Sequence, residues 1–281
     1  MKKILFFTFL CFSSAAMMAQ IGSVNSKLTK DDYFQEKQPK QEEPVKIKIM
    51  HADLTQKKAD LFNGNTFMSG NVQLEHKGSI LKADTVIFYS EENFAKAIGN
   101  TELLTNDGNK ITAGEIEYDG NSQRGIARKN VILTDPNQTI KTDILYYDRI
   151  PNTAYFNTGG TIYSNNGTIW TKTATYNINT KIVDVTGNVN IDNGLYRVEG
   201  TKILQNQKNN TADFLGPTTI YNKRKPSNYV YTEKGQYKMN SKEVYLNKNS
   251  TIHYNGKILT GNTMYYNQNT GFGKAKGNVT L

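Results

Sequence analysis

Residues 70–98 read GNVQLEHKGSILKADTVIFYSEENFAKAI, and much of the remaining chain is this unit rewritten at a period near 29. The opening Gly70-Asn71-Val72-Gln73-Leu74 returns as Gly99-Asn100-Thr101, Lys129-Asn130-Val131, Gly159-Gly160-Thr161, Gly187-Asn188-Val189, Gly216-Pro217-Thr218 and Gly277-Asn278-Val279. Successive starts lie 29, 30, 30, 28 and 29 residues apart, and the last interval of 61 holds two units if a worn one begins near Asn249. A fixed period of this length marks a stacked array, in which each unit buries its apolar face against its neighbours.

Within a unit, a polar turn is followed by a large apolar residue, a small residue two places on, and apolar residues five and seven places on. The first unit supplies Leu81, Ala83, Val86 and Phe88, the second Ile111, Ala113, Ile116 and Tyr118, and the third Ile140, Thr142, Leu145 and Tyr147. Looser copies are Val198, Gly200, Ile203 and Gln205, then Met239, Ser241, Val244 and Leu246, then Leu259, Gly261, Met264 and Tyr266. Side chains alternate between the faces of a strand, so these positions share one interior only if the face switches after the small residue. A corner or β-bulge there performs the switch; on the alternative reading the small residues merely pack on straight strands. Segments such as 94–98 and 181–185 read as a third short strand in most units.

Asn-Gly and Asp-Gly pairs recur at the turns, and no stretch carries a helical apolar period with caps, which predicts an all-β chain. Seventeen Tyr and twelve Phe against six Pro agree with that reading. Residues 1–19 have the form of a secretory signal, with Lys2 and Lys3 ahead of the apolar run Ile4–Leu10 and cleavage expected after Ala19. Residues 20–46 form a polar spacer, flexible by composition. Residues 47–281 are then one repeat domain that ends, or is cut, as a new unit begins. Residues 50–69 read as a worn half-unit, Lys223–Tyr231 as a protruding loop, and an exposed strand near Ile47 or Val279 as an edge able to pair with another sheet.

The formal charge is +9, about +7 once Lys2 and Lys3 leave, which favours anionic partners. The only dense basic group, Lys223-Arg224-Lys225, is too small to predict a nucleic-acid interface. Cys11 lies in the leader, so the exported chain has no thiol chemistry. His51, His76 and His253 are scattered, and no metal site, cofactor or enzymatic activity is expected. Asp84 and Asp143, with Asn262 at the matching place, read as corner residues rather than a catalytic pair. Trp170 aligns with Leu81 and is expected in the core.

The Gly-Asn-Val-x-Leu motif, the Leu81-Lys82-Ala83-Asp84 motif and the closing Gly277-Asn278-Val279-Thr280-Leu281 together resemble the OstA-like family of periplasmic lipopolysaccharide-transport bridge proteins. The resemblance covers residues 47–281. It implies an elongated, twisted, open β-jellyroll of stacked antiparallel repeats, with an apolar trough that holds acyl chains. It also implies a periplasmic location, lipopolysaccharide or a similar anionic glycolipid as cargo, and an inner-membrane extraction complex and outer-membrane translocon as neighbours. Head-to-tail assembly of like chains would prolong the trough. The trough interior is expected to include Val72, Leu74, Leu81, Val86, Phe88, Leu103, Ile111, Ile116, Val131, Ile140, Leu145 and Val189, with the better groove in the first half. A filled β-solenoid acting as a structural or adhesive envelope protein is the competing reading.

Overall fold

The structure is a computed structural model that describes residues 45–57 and 62–281. The signal segment, all but the last two residues of the spacer, and Ala59-Asp60-Leu61 lie outside the described residues. Pro44–Leu281 forms one unit.

Short strands β1 (Lys48–His51) and β2 (Leu54–Lys57) both pair with β3 (Thr66–His76). A meander of long strands follows: β4 (Ser79–Tyr89), β5 (Phe94–Leu104), β6 (Lys110–Asp119), β7 (Arg124–Thr134) and β8 (Gln138–Asp148). Each is antiparallel to the one before. The strands then break in two: β9 (Thr153–Phe156), β10 (Gly160–Ser164), β11 (Gly167–Thr171) and β12 (Thr173–Asn177). Long strands return as β13 (Ile182–Asp192) and β14 (Tyr196–Asn206). Short ones complete the chain: β15 (Thr211–Phe214), β16 (Thr218–Asn222), β17 (Tyr229–Thr232), β18 (Lys234–Lys238), β19 (Glu243–Lys248), β20 (Ser250–Tyr254), β21 (Lys257–Gly261), β22 (Thr263–Asn267) and β23 (Gly273–Lys276). All 23 strands join one hydrogen-bonded antiparallel system.

Every long strand bends at its middle. In β4, Leu81 and Ala83 are buried before the bend and Val86 and Phe88 after it, while the register against β5 slips between Lys82 and Thr85. The bulge that takes up the slip is Gly99-Asn100, with φ of 76° and 42°. Gly70-Asn71 (76°, 48°), Lys129-Asn130 (70°, 55°) and Gly187-Asn188 (80°, 49°) repeat it. Two successive left-handed residues suit Gly and Asn, which tolerate positive φ most readily. At Gly99 the space is also closed, since a Cβ there would meet Asp84 Oδ2 at 2.6 Å.

The corner therefore exists, but the unit boundaries shift. Gly-Asn-Val does not start a strand; it is the corner inside one. The third short strand of a unit, such as residues 94–98, is the first half of the strand that passes through the next Gly-Asn. The corner carboxylates act as expected of turn residues: Asn100 Nδ2 donates to Asp84 Oδ2 at 2.9 Å, Asn71 to Asp53 at 2.9 Å and Asn249 to Glu233 Oε1 at 2.9 Å. That last pair places the worn unit where the spacing predicted it.

Bending every strand along one line divides the meander into two facing walls. Wall A turns at residues 90–93, 120–123, 149–152, 178–181, 207–210, 239–242 and 268–272; wall B turns at 77–78, 105–109, 135–137, 165–166, 193–195, 223–228 and 255–256. In section this is a V with the corners at its vertex and the turns at its mouth. The inner faces supply one apolar cluster running from Ile47 to Phe214.

Two positions depart from the sequence reading. Trp170 is 45% exposed on the outer face, because the two-residue turn at 165–166 sets Ile169, not Trp170, in register with Leu81; Ile169, Thr171, Ala174 and Tyr176 are the true fourth set, all buried. The sixth set is Val230, Thr232, Gly235 and Tyr237, rather than Met239, Ser241, Val244 and Leu246. The loop at 223–228 lengthens this unit, and Met239 and Ser241 fall in the following turn. Residues 223–227 of that loop are exposed, and β17 already begins at Tyr229.

Candidate functional site

Among the described residues the interior has no group of three or more metal-ligating side chains, so what matters is which parts of its surface can be reached. The residues assigned to the trough, Val72, Leu74, Leu81, Val86, Phe88, Leu103, Ile111, Ile116, Val131, Ile140, Leu145 and Val189, all face inward, and the most exposed of them, Phe88, is 7% exposed. They lie in a section that its own side chains fill. The enclosed space near Ile47, Leu74, Leu81 and Leu103 is only about 10 Å³, room for one water at most. A larger depression of about 310 Å³, lined by Asp213, Lys234, Gln236 and Tyr245 among others, involves residues of the outer face of wall A and is outside the interior.

A series of polar contacts across the mouth holds the walls together over this section. Val45 O accepts from His76 Nε2 at 3.0 Å and from Asn93 Nδ2 at 3.1 Å, and Ile47 N donates to Asn93 Oδ1 at 2.8 Å. A carbonyl can only accept, so His76 carries its proton on Nε2, and Nδ1 accepts from Tyr118 OH at 2.8 Å. Burial, the largest influence, keeps His76 below the ordinary histidine value, which favours this neutral ring. Burial likewise pushes the Tyr118 hydroxyl up to about 12. Further along, Arg149 Nη2 donates to Lys77 O at 2.5 Å. Asn152 Nδ2 donates to Asp107 Oδ2 at 2.7 Å, while Tyr147 OH holds Asn152 Oδ1 at 2.9 Å.

The strongest contact surrounds Asp135, whose side chain is fully buried. It accepts from Tyr176 OH, from Lys181 Nζ at 3.1 Å and from the N–H groups of Asn137 and Gln138 at 2.7 and 2.9 Å. Burial alone would raise this carboxyl; these donors outweigh it and hold the group below the usual carboxylate range. The last contact is Gln207 Nε2 to Gln138 Oε1 at 2.7 Å. Beyond it, no hydrogen bond between described residues crosses the mouth. The buried side-chain polar atoms left without a partner, on Ser79, Asn109, Gln138, Arg149 and Gln207, also lie along this closed mouth.

Sequence reasoning missed these contacts because it counted Tyr118 and Tyr147 as apolar and assigned Tyr176 to no set. The signal is nonetheless visible: a tyrosine recurs seven places after the large residue, opposite turns that carry His76, Asp107 and Asp135.

Past Thr218 the mouth has no such contact among the described residues, although Ile220 and Tyr237 still pack against the core. At the vertex, Thr232, Leu246, Ser250 and Met264 remain 0–4% exposed. Toward the mouth, Ile220, Val230, Tyr237, Val244, Ile252 and Leu259 are partly exposed, and Tyr266 is 41% exposed. The first half, where the better groove was expected, is the part whose inward side chains are buried.

Charge follows the same division. Mouth turns from 77–78 to 178–181 carry Glu91, Glu92, Asp107 and Asp135 against Lys77, Arg149 and Lys181. Those from 193 to 272 carry Lys208, Lys223, Arg224, Lys225 and Lys242 and no acidic residue.

An antiparallel meander bent along one line into two facing apolar walls defines a β-jellyroll. The chain belongs to the OstA-like protein family, whose profile matches residues 44–201, more than half of its length. A second profile, described as LptA/(LptD N-terminal domain) LPS transport protein, matches residues 168–272 and so spans most of the open section. A search of curated proteins returns no match.

Proposed function

We propose that this protein binds lipopolysaccharide, or a similar anionic glycolipid with several acyl chains, and passes it through the cell envelope toward the outer membrane without altering it. The observation that carries this reading is a repeated apolar interior, part of it reachable from solvent, in a chain of the OstA-like family. Each acyl methylene moved from water onto such a surface contributes roughly 0.8 kcal/mol, so affinity needs no reactive group. The signal-like leader fits a periplasmic location. Edge strands fit stacking against other jellyrolls: β1 and β2 pair on one side only, with β3, and β23 only with β22. Such partners include those of an inner-membrane extraction complex, an outer-membrane translocon or a second copy.

The test is equilibrium binding of purified lipopolysaccharide to the purified chain, followed by mass analysis of the recovered lipid. Saturable binding with lipid of unchanged mass is expected. No binding, or recovery of a cleaved or modified lipid, rejects the proposal in favour of a structural protein or an enzyme respectively.

A further inference from the structure

The depression of about 310 Å³ on the outer face of wall A lies among β15, β18 and β19, with the thickness of the sheet between it and the interior. We propose that it binds a saccharide that bears a carboxylate. The acid lies on Lys234 and Lys238, hydroxyls on Asp213, Gln236 and Asn247, and the C–H edge of a sugar ring on Tyr245. Nothing in this site depends on the transport reading.

Asp213, Gln236 and Tyr245 stand side by side because they pair across three neighbouring strands. They point outward, opposite in parity to the buried Phe214, Gly235 and Leu246. The register between β18 and β19 slips after Lys234, which pairs with Lys248 while Gly235 pairs with Leu246, so Asn247 has no residue opposite it. This bulge breaks the regular row of outward side chains and leaves the hollow beside Tyr245. Its volume is at the lower end of small-molecule sites, about 300 Å³. Only Leu215 and Tyr245 in its lining are large and apolar, which suits a polar ligand rather than a hydrocarbon.

The polar groups narrow the choice. Gln236 Nε2 donates to Asp213 Oδ1 at 2.6 Å, which fixes both side chains and leaves Asp213 Oδ2 and Gln236 Oε1 to accept from neighbouring hydroxyls. Lys248 is taken by Glu233 at 2.9 Å, whereas Lys234 and Lys238 make no ion pair among the described residues. Lys238 lies over the Tyr245 ring, 4.8 Å from its centroid. An exposed cation–π contact is weaker than a charge-assisted hydrogen bond, so a carboxylate draws Lys238 away without breaking an ion pair. From β22, Tyr265 flanks Tyr245 at 5.1 Å and 56°. Tyr245 therefore offers a rim, enough for sugar C–H groups, and no whole face on which a nucleic-acid base could stack. A bare anion such as phosphate would meet Asp213 as well as the lysines, but a sugar keeps its acid and its hydroxyls at separate positions.

The test compares tetragalacturonate, an oligomer of acidic sugars, with cellotetraose, a neutral one, each titrated into the full-length chain at physiological salt and followed by saturation-transfer NMR. Tetragalacturonate should bind about fivefold tighter or more. Tyr245→Ala, checked for native circular dichroism, should weaken it by about fivefold. Lys234→Gln combined with Lys238→Gln should remove the preference for the acidic sugar. Lys274→Gln combined with Lys276→Gln takes the same charge from β23 and should change affinity by less than about twofold. Lipopolysaccharide added as a competitor identifies the source of the sugar: displacement of tetragalacturonate assigns it to a glycolipid head group, and no displacement to a free glycan. Absence of binding, equal affinity for the two oligomers, or unchanged affinity in Tyr245→Ala overturns the site. Equal losses in the two lysine pairs also overturn it, since they would leave only diffuse attraction to a cationic chain.

Discussion

The closed section, from β3 to β14, and the open section, from β16 to β23, use the same strand grammar and differ at the mouth. Both have the corner, the alternation and the inward apolar pairs. Only the closed section adds a tyrosine column that meets His76, Asp107 and Asp135 across the gap, directly or through Asn152. Where the column continues as Tyr237 and Tyr266, the facing turns offer Asn and Lys, and the walls part. Thus the corners determine that there is a V, while a few polar residues at the turns determine whether the V is shut.

The comparison is broken most directly by placing a charge in each interior. Leu145 is 1% exposed, so Leu145→Asp should cost several kcal/mol, on the order of 4, unless the carboxyl takes up a proton. Ile252 is already partly exposed, and Ile252→Asp should cost about 1 kcal/mol. Thermal unfolding followed by circular dichroism should show a midpoint lowered by about 10 °C or more for the first and by only a few degrees for the second. Equal losses would mean that the open section is packed as tightly as the closed one.

Next in size is the clasp itself. Asp135→Asn keeps the shape but removes the charge that Tyr176, Lys181 and two backbone N–H groups address, at about 2–3 kcal/mol. Lys225→Ala, at an exposed turn of the open section, should cost under about 0.5 kcal/mol. Amide exchange in β8 and β12 should rise in the Asp135 variant and leave β20 and β21 unchanged; uniform change along the chain would show that the two sections do not open separately.

Much of this molecule was legible in the sequence. The period, the all-β character and the face switch came from alternation alone, because a strand's side-chain parity is fixed by its backbone. The reading failed where an unequal turn moved the frame, as at Trp170 and Met239, since one or two residues in a turn reverse which side faces in. The candidate interior was read correctly as to direction, yet its accessibility was not legible. Accessibility depends on contacts between turns about 40–70 residues apart, such as Asn152 with Asp107 and Gln207 with Gln138, and no local pattern encodes those.

The corners allow a finer test within the closed section. At most of them a glycine on the bulged strand faces a corner side chain, as Gly99 faces Asp84; at one the roles are exchanged, with Lys129 at φ 70° facing Gly114, where an added Cβ would meet Lys129 Cβ at 2.9 Å. Lys129→Gly relieves a left-handed lysine and should stabilise by up to about 1 kcal/mol, less what the Lys129–Glu115 ion pair at 3.3 Å contributes. Gly99→Ala should destabilise by about 1–2 kcal/mol. Denaturant titration gives both signs, and a stabilising Gly99→Ala would refute the account of the corner.

The smallest effect expected is a response to acid confined to one end of the closed section. His76 is kept neutral chiefly by burial, with Lys77 and Arg149 acting in the same direction and the Val45 carbonyl and Glu75 against it. A histidine whose folded value lies below its unfolded one binds protons more readily when unfolded, so its contribution is complete above about pH 6.5 and falls as the pH drops below that. Protonation also takes away the Nδ1 lone pair that accepts from Tyr118, which weakens the first clasp. Asp135 has the same sign at lower pH: held below the ordinary carboxylate value, it keeps its clasp until the pH falls below about 4. Between pH 7.5 and 5, exchange should therefore quicken in β3 and β6, while β8 and β12 around Asp135 stay protected and the unclasped mouth of β20 and β21 does not change. His76→Gln offers one donor and one acceptor at every pH and should abolish the response. If the variant responds as the parent does, the acid sensitivity belongs to another group and His76 is only a packed ring.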